Sequence, residues 1–312
     1  MHAVATMKPD VSRVPAPLAS LVGASKRYGK VLALNNVDLQ VRAGEVLAVL
    51  GPNGAGKTTA ISLLLGLLQT DGGSAELFGI APKKLPARRR IGAMLQTAAV
   101  PEALTVGELI ALFRSYYPNP YSVAKCAALA GVEEILGHRY GKLSGGQQRR
   151  AQFALALIGN PEILFLDEPT TGLDIQAREI LWKTIRKLVA EGCAVVLTTH
   201  YLEEAEALAD RVCVLARGRI VAEGSVAAIR ARVSQRRIRC ISSIPSKTIL
   251  CWPHVRSVVH DGEHIEIVTD AAESVVRRLL DADATLSELE VRRAGLAEAF
   301  VEITKDIAAA AA

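Results

Sequence analysis

The junction between an apolar run, Val46-Leu47-Ala48-Val49-Leu50, and the segment Gly51-Pro52-Asn53-Gly54-Ala55-Gly56-Lys57-Thr58-Thr59 constrains this chain more than any other part of it. The segment has the form GxxxxGK[ST], a phosphate-binding loop. Its glycines let consecutive backbone N–H groups turn inward around an anion, a conformation that side chains would obstruct. Lys57 supplies a mobile positive charge for the β- and γ-phosphates, and the Thr58 hydroxyl is placed to ligate Mg²⁺. The apolar run suits a buried parallel strand, and Thr59–Leu68 reads as the helix that follows, adding its N-terminal dipole to the phosphate site. A glycine-rich turn with a chance lysine would need neither flanking element. A nucleoside triphosphate is the expected ligand.

The rest of the chain fits an α/β protein of one large and one small domain. Its 312 residues are 50% apolar, enough for a sizeable core. The net charge of +5 suits a nucleotide or an anionic surface without pointing to nucleic acid, and no nucleic-acid partner is expected. Arg217–Arg239 is rich in arginine against a single acid, Glu223, and reads as a solvated linker surface. Cys126, Cys193, Cys213, Cys240 and Cys251 lack metal-ligand spacing and read as buried thiols of a reducing compartment. No apolar run approaches the roughly 18 residues that span a bilayer. Met1–Ala19 lacks the apolar core of a signal peptide and reads as a disordered tail. A cytoplasmic protein is expected, peripheral to the membrane only through a partner.

Leu21–Tyr28 and Val37–Val41 alternate like strands of an antiparallel edge sheet, and Asp71-Gly72-Gly73 reads as a turn. Ile91–Leu95 is a strand ending at Gln96. Helical patterns over Val106–Tyr117, Ser122–Ala130 and Gln147–Ile158 suggest a helical subdomain inserted at about residues 97–160. Ile163–Leu166 and Ala194–Thr199 are short buried strands with the helix Ile175–Ala190 between them, so the main sheet is expected to be mostly parallel. Beyond Gly224, residues 225–312 read as a small α+β domain. Its strands are Arg236–Ser242, Val255–His260, His264–Thr269 and Leu286–Arg292, and its helices Ala271–Leu280 and Leu296–Thr304, with a frayed end at Ala308–Ala312. Asp261-Gly262 is a two-residue hairpin signal.

The buried strand Ile163–Leu166 runs into Asp167-Glu168. At a phosphoryl-transfer site the first acid holds the metal with Thr58, and the second polarises an attacking water. A guanine-reading Asn-Lys-x-Asp does not occur, and a hydrolytic ATPase fits better than a kinase or a GTPase. Upstream, Leu143-Ser144-Gly145-Gly146-Gln147 contains a capping box, Ser144 with Gln147, that opens the Gln147–Ile158 helix and exposes N–H groups to an anion.

Together these segments resemble the ATP-binding subunits of ABC transporters, over residues 20–224. Gly51–Thr59 is similar to the family's Walker A, Leu143–Gln147 to its signature motif, Ile163–Pro169 to its Walker B and Gly172-Leu173-Asp174 to its D-loop. Gln96 matches the Q-loop glutamine, His200 the switch histidine and Tyr28 the adenine-stacking aromatic. The resemblance implies a cassette that hydrolyses ATP with Mg²⁺. Two copies would meet head to tail, and a separately encoded membrane permease would be the partner. Lys57, Glu168 and His200 would be catalytic, and Thr58, Gln96 and Asp167 would hold the metal. Tyr28, Gly51 to Thr59, Gln96, Ser144, Gly145, Gly146, Gln147 and Asp174 would contact nucleotide, the signature residues in trans. Thr199-His200-Tyr201-Leu202-Glu203-Glu204-Ala205-Glu206 and the terminal Leu296–Thr304 helix resemble ABC-2-type exporter subunits of the daunorubicin-resistance and Nod-factor kind. A soluble ABC ATPase of repair or translation is the competing reading. It would carry twin cassettes, a long coiled-coil arm or a cysteine cluster, and this chain has none of them.

Overall fold

Val46–Leu50, Ile163–Asp167 and Ala194–Thr198 are buried at every position, as a strand covered on both faces must be. They form the middle of the main sheet. The computed structural model describes residues 16–96, 99–231, 236–293 and 295–309, so most of the expected N-terminal tail lies outside the described residues. In chain order, β1 (Ala19–Tyr28), β2 (Val31–Val41), β3 (Val46–Leu50), α1 (Lys57–Leu64), β4 (Gly72–Leu77), α2 (Leu85–Arg88) and β5 (Ile91–Met94) come first. The helices α3 (Val106–Arg114), α4 (Val123–Ala130) and α5 (Gly145–Leu157) follow. Next are β6 (Ile163–Asp167), α6 (Ile175–Ala190), β7 (Ala194–Thr198), α7 (Leu202–Leu208), β8 (Arg211–Ala216) and β9 (Arg219–Gly224). The last part holds α8 (Val226–Arg230), β10 (Arg236–Ile241), α9 (Ser246–Leu250), β11 (Val255–Asp261), β12 (His264–Thr269), α10 (Ala272–Ala282), β13 (Ser287–Arg293) and α11 (Leu296–Ala309).

The main sheet has the order β5-β6-β7-β3-β8-β9, parallel apart from the β8–β9 hairpin. Alternate residues of each strand feed different layers. Ile163 and Phe165 of β6 join α1 and the antiparallel sheet β2-β1-β4, while Leu164 and Leu166 join α3 to α6. This is the mostly parallel sheet, edge sheet and helical insertion expected of the sequence. The four-stranded sheet β11-β12-β10-β13 has the βαββαβ connectivity of a split βαβ unit, with a core of Ile238, Ile265, Ile267, Val275 and Leu279. Its chain then returns to the main sheet. Leu296 and Ala299 of α11 are buried in one cluster with Leu50, Val212, Val214 and Ile229. Among the described residues, no helix is long and apolar enough to cross a membrane.

Several local readings shift. The helix after the phosphate loop ends at Leu64, not Leu68, because Gly66 turns left-handed (φ 66°) and the N–H groups of Gly66 and Leu67 close a Schellman motif on Leu63 and Ser62. Asp71-Gly72-Gly73 does not only turn the chain: Gly72 opens β4, which pairs with β1. Most β4 side chains remain solvated, so no apolar alternation announced it. The arginine-rich stretch is not a bare linker. It contains β9, α8 and β10, and Arg230 pairs with Glu206 at 2.7 Å and Arg236 with Glu273 at 2.6 Å. The helix α11 runs on to Ala309 instead of fraying at Ala308.

The cysteine expectation needs one correction: four thiols are buried, but Cys251 is exposed. Burial pushes Cys126, Cys193 and Cys213 up to about 12 and Cys240 up to about 11. A thiolate-selective reagent near pH 8 should therefore modify the native chain quickly at Cys251 alone, with the other thiols reacting only on unfolding. Rapid labelling of several cysteines in the native protein, read by peptide mass spectrometry, would contradict this packing.

Candidate functional site

The phosphate loop joins β3 to α1 at the C-terminal edge of the main sheet. Gly56 has φ 108°, and a Cβ there would lie 2.5 Å from the Ala33 carbonyl oxygen, so a side chain is excluded twice over. The Lys57 side chain is buried and donates from Nζ to the carbonyls of Gly51 at 2.6 Å and Pro52 at 3.1 Å. Desolvation lowers its pKa, against the opposing fields of Glu168 and Asp167. Thr58 is exposed toward the mouth of the site.

A cavity of about 490 Å³ lies over the loop, lined by Tyr28, Val31, Ala33, Asn53, Gly54, Ala55, Gly56, Lys57, Thr58, Thr59, Gln96, Asp167 and Glu168. Strand order produces this gathering. The ends of β5, β6, β7 and β3 share one sheet edge, where ligands of open α/β sheets bind. They deliver Gln96, the acid pair, His200 and the phosphate loop respectively. Asp167 is buried, and its Oδ1 accepts from Thr198 Oγ1 on the neighbouring strand. Glu168 lies between two partners: Gln96 Nε2 at 3.5 Å from Oε2, and His200 Nδ1 at 3.1 Å from Oε1. Its backbone is left-handed, φ 48°, a conformation that costs a non-glycine residue about 1–3 kcal/mol and clusters at functional sites.

Other expected site residues lie elsewhere in the protomer. Ser144 and Gln147 form the capping box of α5, with Gln147 N–H donating to Ser144 Oγ at 3.3 Å and Ser144 N–H to Gln147 Oε1 at 2.9 Å. Ser144 and Gly145 are exposed, and nothing lies within 4 Å of a Cβ built on Gly145. Neither these residues nor Gly146 line the cavity. Asp174 caps α6, accepting from Ala177 N–H at 2.7 Å. Sequence reasoning missed two contributors. Thr198 ties β7 to both acids, since its carbonyl accepts from Glu168 N–H at 3.0 Å. Arg149, on the α5 helix, reaches the carbonyl oxygens of Asp167 and Glu168. A basic residue two positions past Gln147 was the available signal, but its target lies across the fold.

A lysine-bearing phosphate loop after β3, facing two acids at the end of β6 across the intervening β7, defines a P-loop nucleoside triphosphatase. The ABC transporter family model matches residues 34–171. The chain is 42% identical over 207 residues to Nod factor export ATP-binding protein I of Burkholderia orbicola (strain AU 1054), covering 64% of this chain and 68% of that protein. It is 38% identical over 302 residues to daunorubicin resistance ATP-binding protein DrrA3 of Streptomyces coeruleorubidus, covering 91% and 95%. Among solved structures, a dimeric ATP-binding cassette in a post-hydrolysis state with ADP and Pi superposes with a TM-score of 0.61 at 28% identity, covering 66% of this chain and 98% of that one. The chain belongs to the ABC transporter family as an ATP-binding subunit. It is an ATPase, and it groups with exporter ATP-binding proteins.

Replacing Lys57 by alanine removes the buried counter-charge of the phosphates. Phosphate release should fall at least about 100-fold, the scale for losing a preorganised electrostatic contact, and affinity for a fluorescent ATP analogue should weaken. Wild-type turnover in Lys57→Ala would remove this cavity from consideration as the ATP site.

Proposed function

We propose that this chain powers an exporter as one of two identical cassettes that close head to tail over ATP and act on a separately encoded membrane permease. The observation that carries the reading is the Glu168 carboxylate, which faces the phosphate-loop cavity within reach of Gln96 and His200. Glu168 takes the proton of the attacking water as general base. His200, half-exposed beside it, is free to turn toward a γ-phosphate. Lys57 leaves the loop carbonyls to bind the β- and γ-phosphates, and Tyr28 at the cavity mouth stacks on the adenine.

The hard oxygen donors of Thr58, Asp167 and Gln96 suit Mg²⁺. Thr58 and Gln96 line the cavity wall, and Asp167 stays buried beside them. When bound, the ion neutralises charge on the phosphate oxygens.

The second copy is supported by what lies outside the cavity. The exposed α5 N-terminus, opened by Gly145 and Gly146 just after the N-cap Ser144, turns first-turn N–H groups and the positive end of a helix dipole outward, as an anion site does. In the head-to-tail arrangement it meets the partner's γ-phosphate, with Gln147 and Asp174 at the same interface. Export is supported by the Nod-factor and daunorubicin-resistance relatives, which also disfavour the soluble repair or translation reading. A permease would place the chain at the cytoplasmic face of the membrane.

Glu168→Gln should bind ATP without turning it over and accumulate as a dimer. Light scattering of this variant with ATP and Mg²⁺ should give twice the monomer mass. A monomer at every ATP concentration would contradict the two-copy mechanism.

A further inference from the structure

The guanidinium of Arg149 makes more contacts with the acid-bearing segments than with its own helix. Nη2 donates to the Glu168 carbonyl at 2.6 Å and to the Asp167 carbonyl at 3.2 Å. Nη1 donates to the Leu95 carbonyl at 3.2 Å and to Gln152 Oε1 at 3.0 Å. We infer that Arg149 is a positioning residue for hydrolysis: its fork holds the backbone of the acid pair, and with it the left-handed turn that aims Glu168 between Gln96 and His200. The inference rests on the reading of Glu168 as the base.

The backbone makes the case. Glu168 adopts φ 48°, which a side-chain-bearing residue leaves unless its neighbours over-determine it. Its N–H is fixed by the Thr198 carbonyl at 3.0 Å and Oγ1 at 3.3 Å. Its carbonyl, on the other side of the residue, is held by Arg149. Clamped at both peptide groups, the residue cannot rotate toward an ordinary φ. With Arg149 gone, one clamp is lost, the strain can relax, and relaxation swings the carboxylate away from the cavity. Leu95 directly precedes Gln96, so the same fork also sets the chain from which the second contact of Glu168 projects. A charge-assisted, planar donor suits the task because it can serve several fixed carbonyls at once, which a lysine ammonium does less well.

Arg149 touches none of the phosphate-loop residues, and it meets Asp167 and the chain before Gln96 only at backbone carbonyls, so its loss should fall on turnover far more than on nucleotide binding. Steady-state ATPase, ATP-analogue affinity and melting temperature are to be compared for wild type, Arg149→Met, Arg149→Lys, Glu168→Gln and the double variant Arg149→Met/Glu168→Gln. Arg149→Met should lose kcat by roughly 10- to 100-fold, the scale for a displaced catalytic group, with KM and affinity within about twofold of wild type. Arg149→Lys should recover part of the rate. The double variant should be no slower in single turnover than Glu168→Gln alone, because Arg149 acts through that carboxylate. If Arg149→Met melts below the assay temperature, Arg149→Lys carries the test, with the same kcat loss at unchanged KM but smaller. A folded Arg149 variant with wild-type kcat, a loss carried by KM, or a full further loss in the double variant would overturn the inference. Wild-type turnover in Glu168→Gln would instead remove the base assignment itself.

Discussion

Triphosphate chemistry requires positive charge, N–H donors and carboxylates to converge on one small volume, and here the parallel pairing of four strands brings them there. The registers of β5 with β6, β6 with β7, and β7 with β3 align the strand ends to within a residue or two. Each strand then needs only to end in the right side chain. A slip of one residue between β6 and β7 would turn the buried Asp167 toward the wrong layer and separate it from Thr198. The apolar residues of these strands do not choose among registers, which would bury similar hydrocarbon, so the polar contacts of Thr198 with Asp167 and Glu168 at the edge carry that choice.

Charge balance is the second constraint. Lys57 is buried, which alone would favour its neutral form, and the two carboxylates nearby oppose that trend. The acids are themselves held from two sides, by Thr198 and His200 at and just beyond the end of β7 and by Arg149 of α5. The α5 helix thus has two faces with distinct tasks. Its interior carries Arg149 to the acid pair, while its capped N-terminus is left open to a second molecule. In the proposed dimer a single rigid helix would join one ATP site to the other.

Much of this was legible from residues alone. The phosphate loop, the acid pair and the Ser144–Gln147 capping box are local patterns whose geometry follows from a few consecutive residues, and α6 and β12 fall where periodicity put them. What escaped was non-local. The short apolar strand β8 was hidden next to an arginine-rich stretch, although Arg211 itself is paired with Glu45 at 2.7 Å. The helix α7 was read only as a motif. Strand order, the return of α11 to the main sheet and the reach of Arg149 depend on contacts between distant residues, to which periodicity is blind.

The central claim is that the cavity of one protomer is half a site, completed by the α5 N-terminus of another. Cross-linking between two differently tagged populations tests it most directly. Both carry Glu168→Gln and Cys251→Ser, one adds Asn53→Cys and the other Ser144→Cys, and both positions are exposed in the single chain. With a short bis-maleimide, ATP and Mg²⁺, the head-to-tail account predicts a product joining the two different tags, which disappears without nucleotide. Products joining like tags only, or a yield indifferent to ATP, would contradict it.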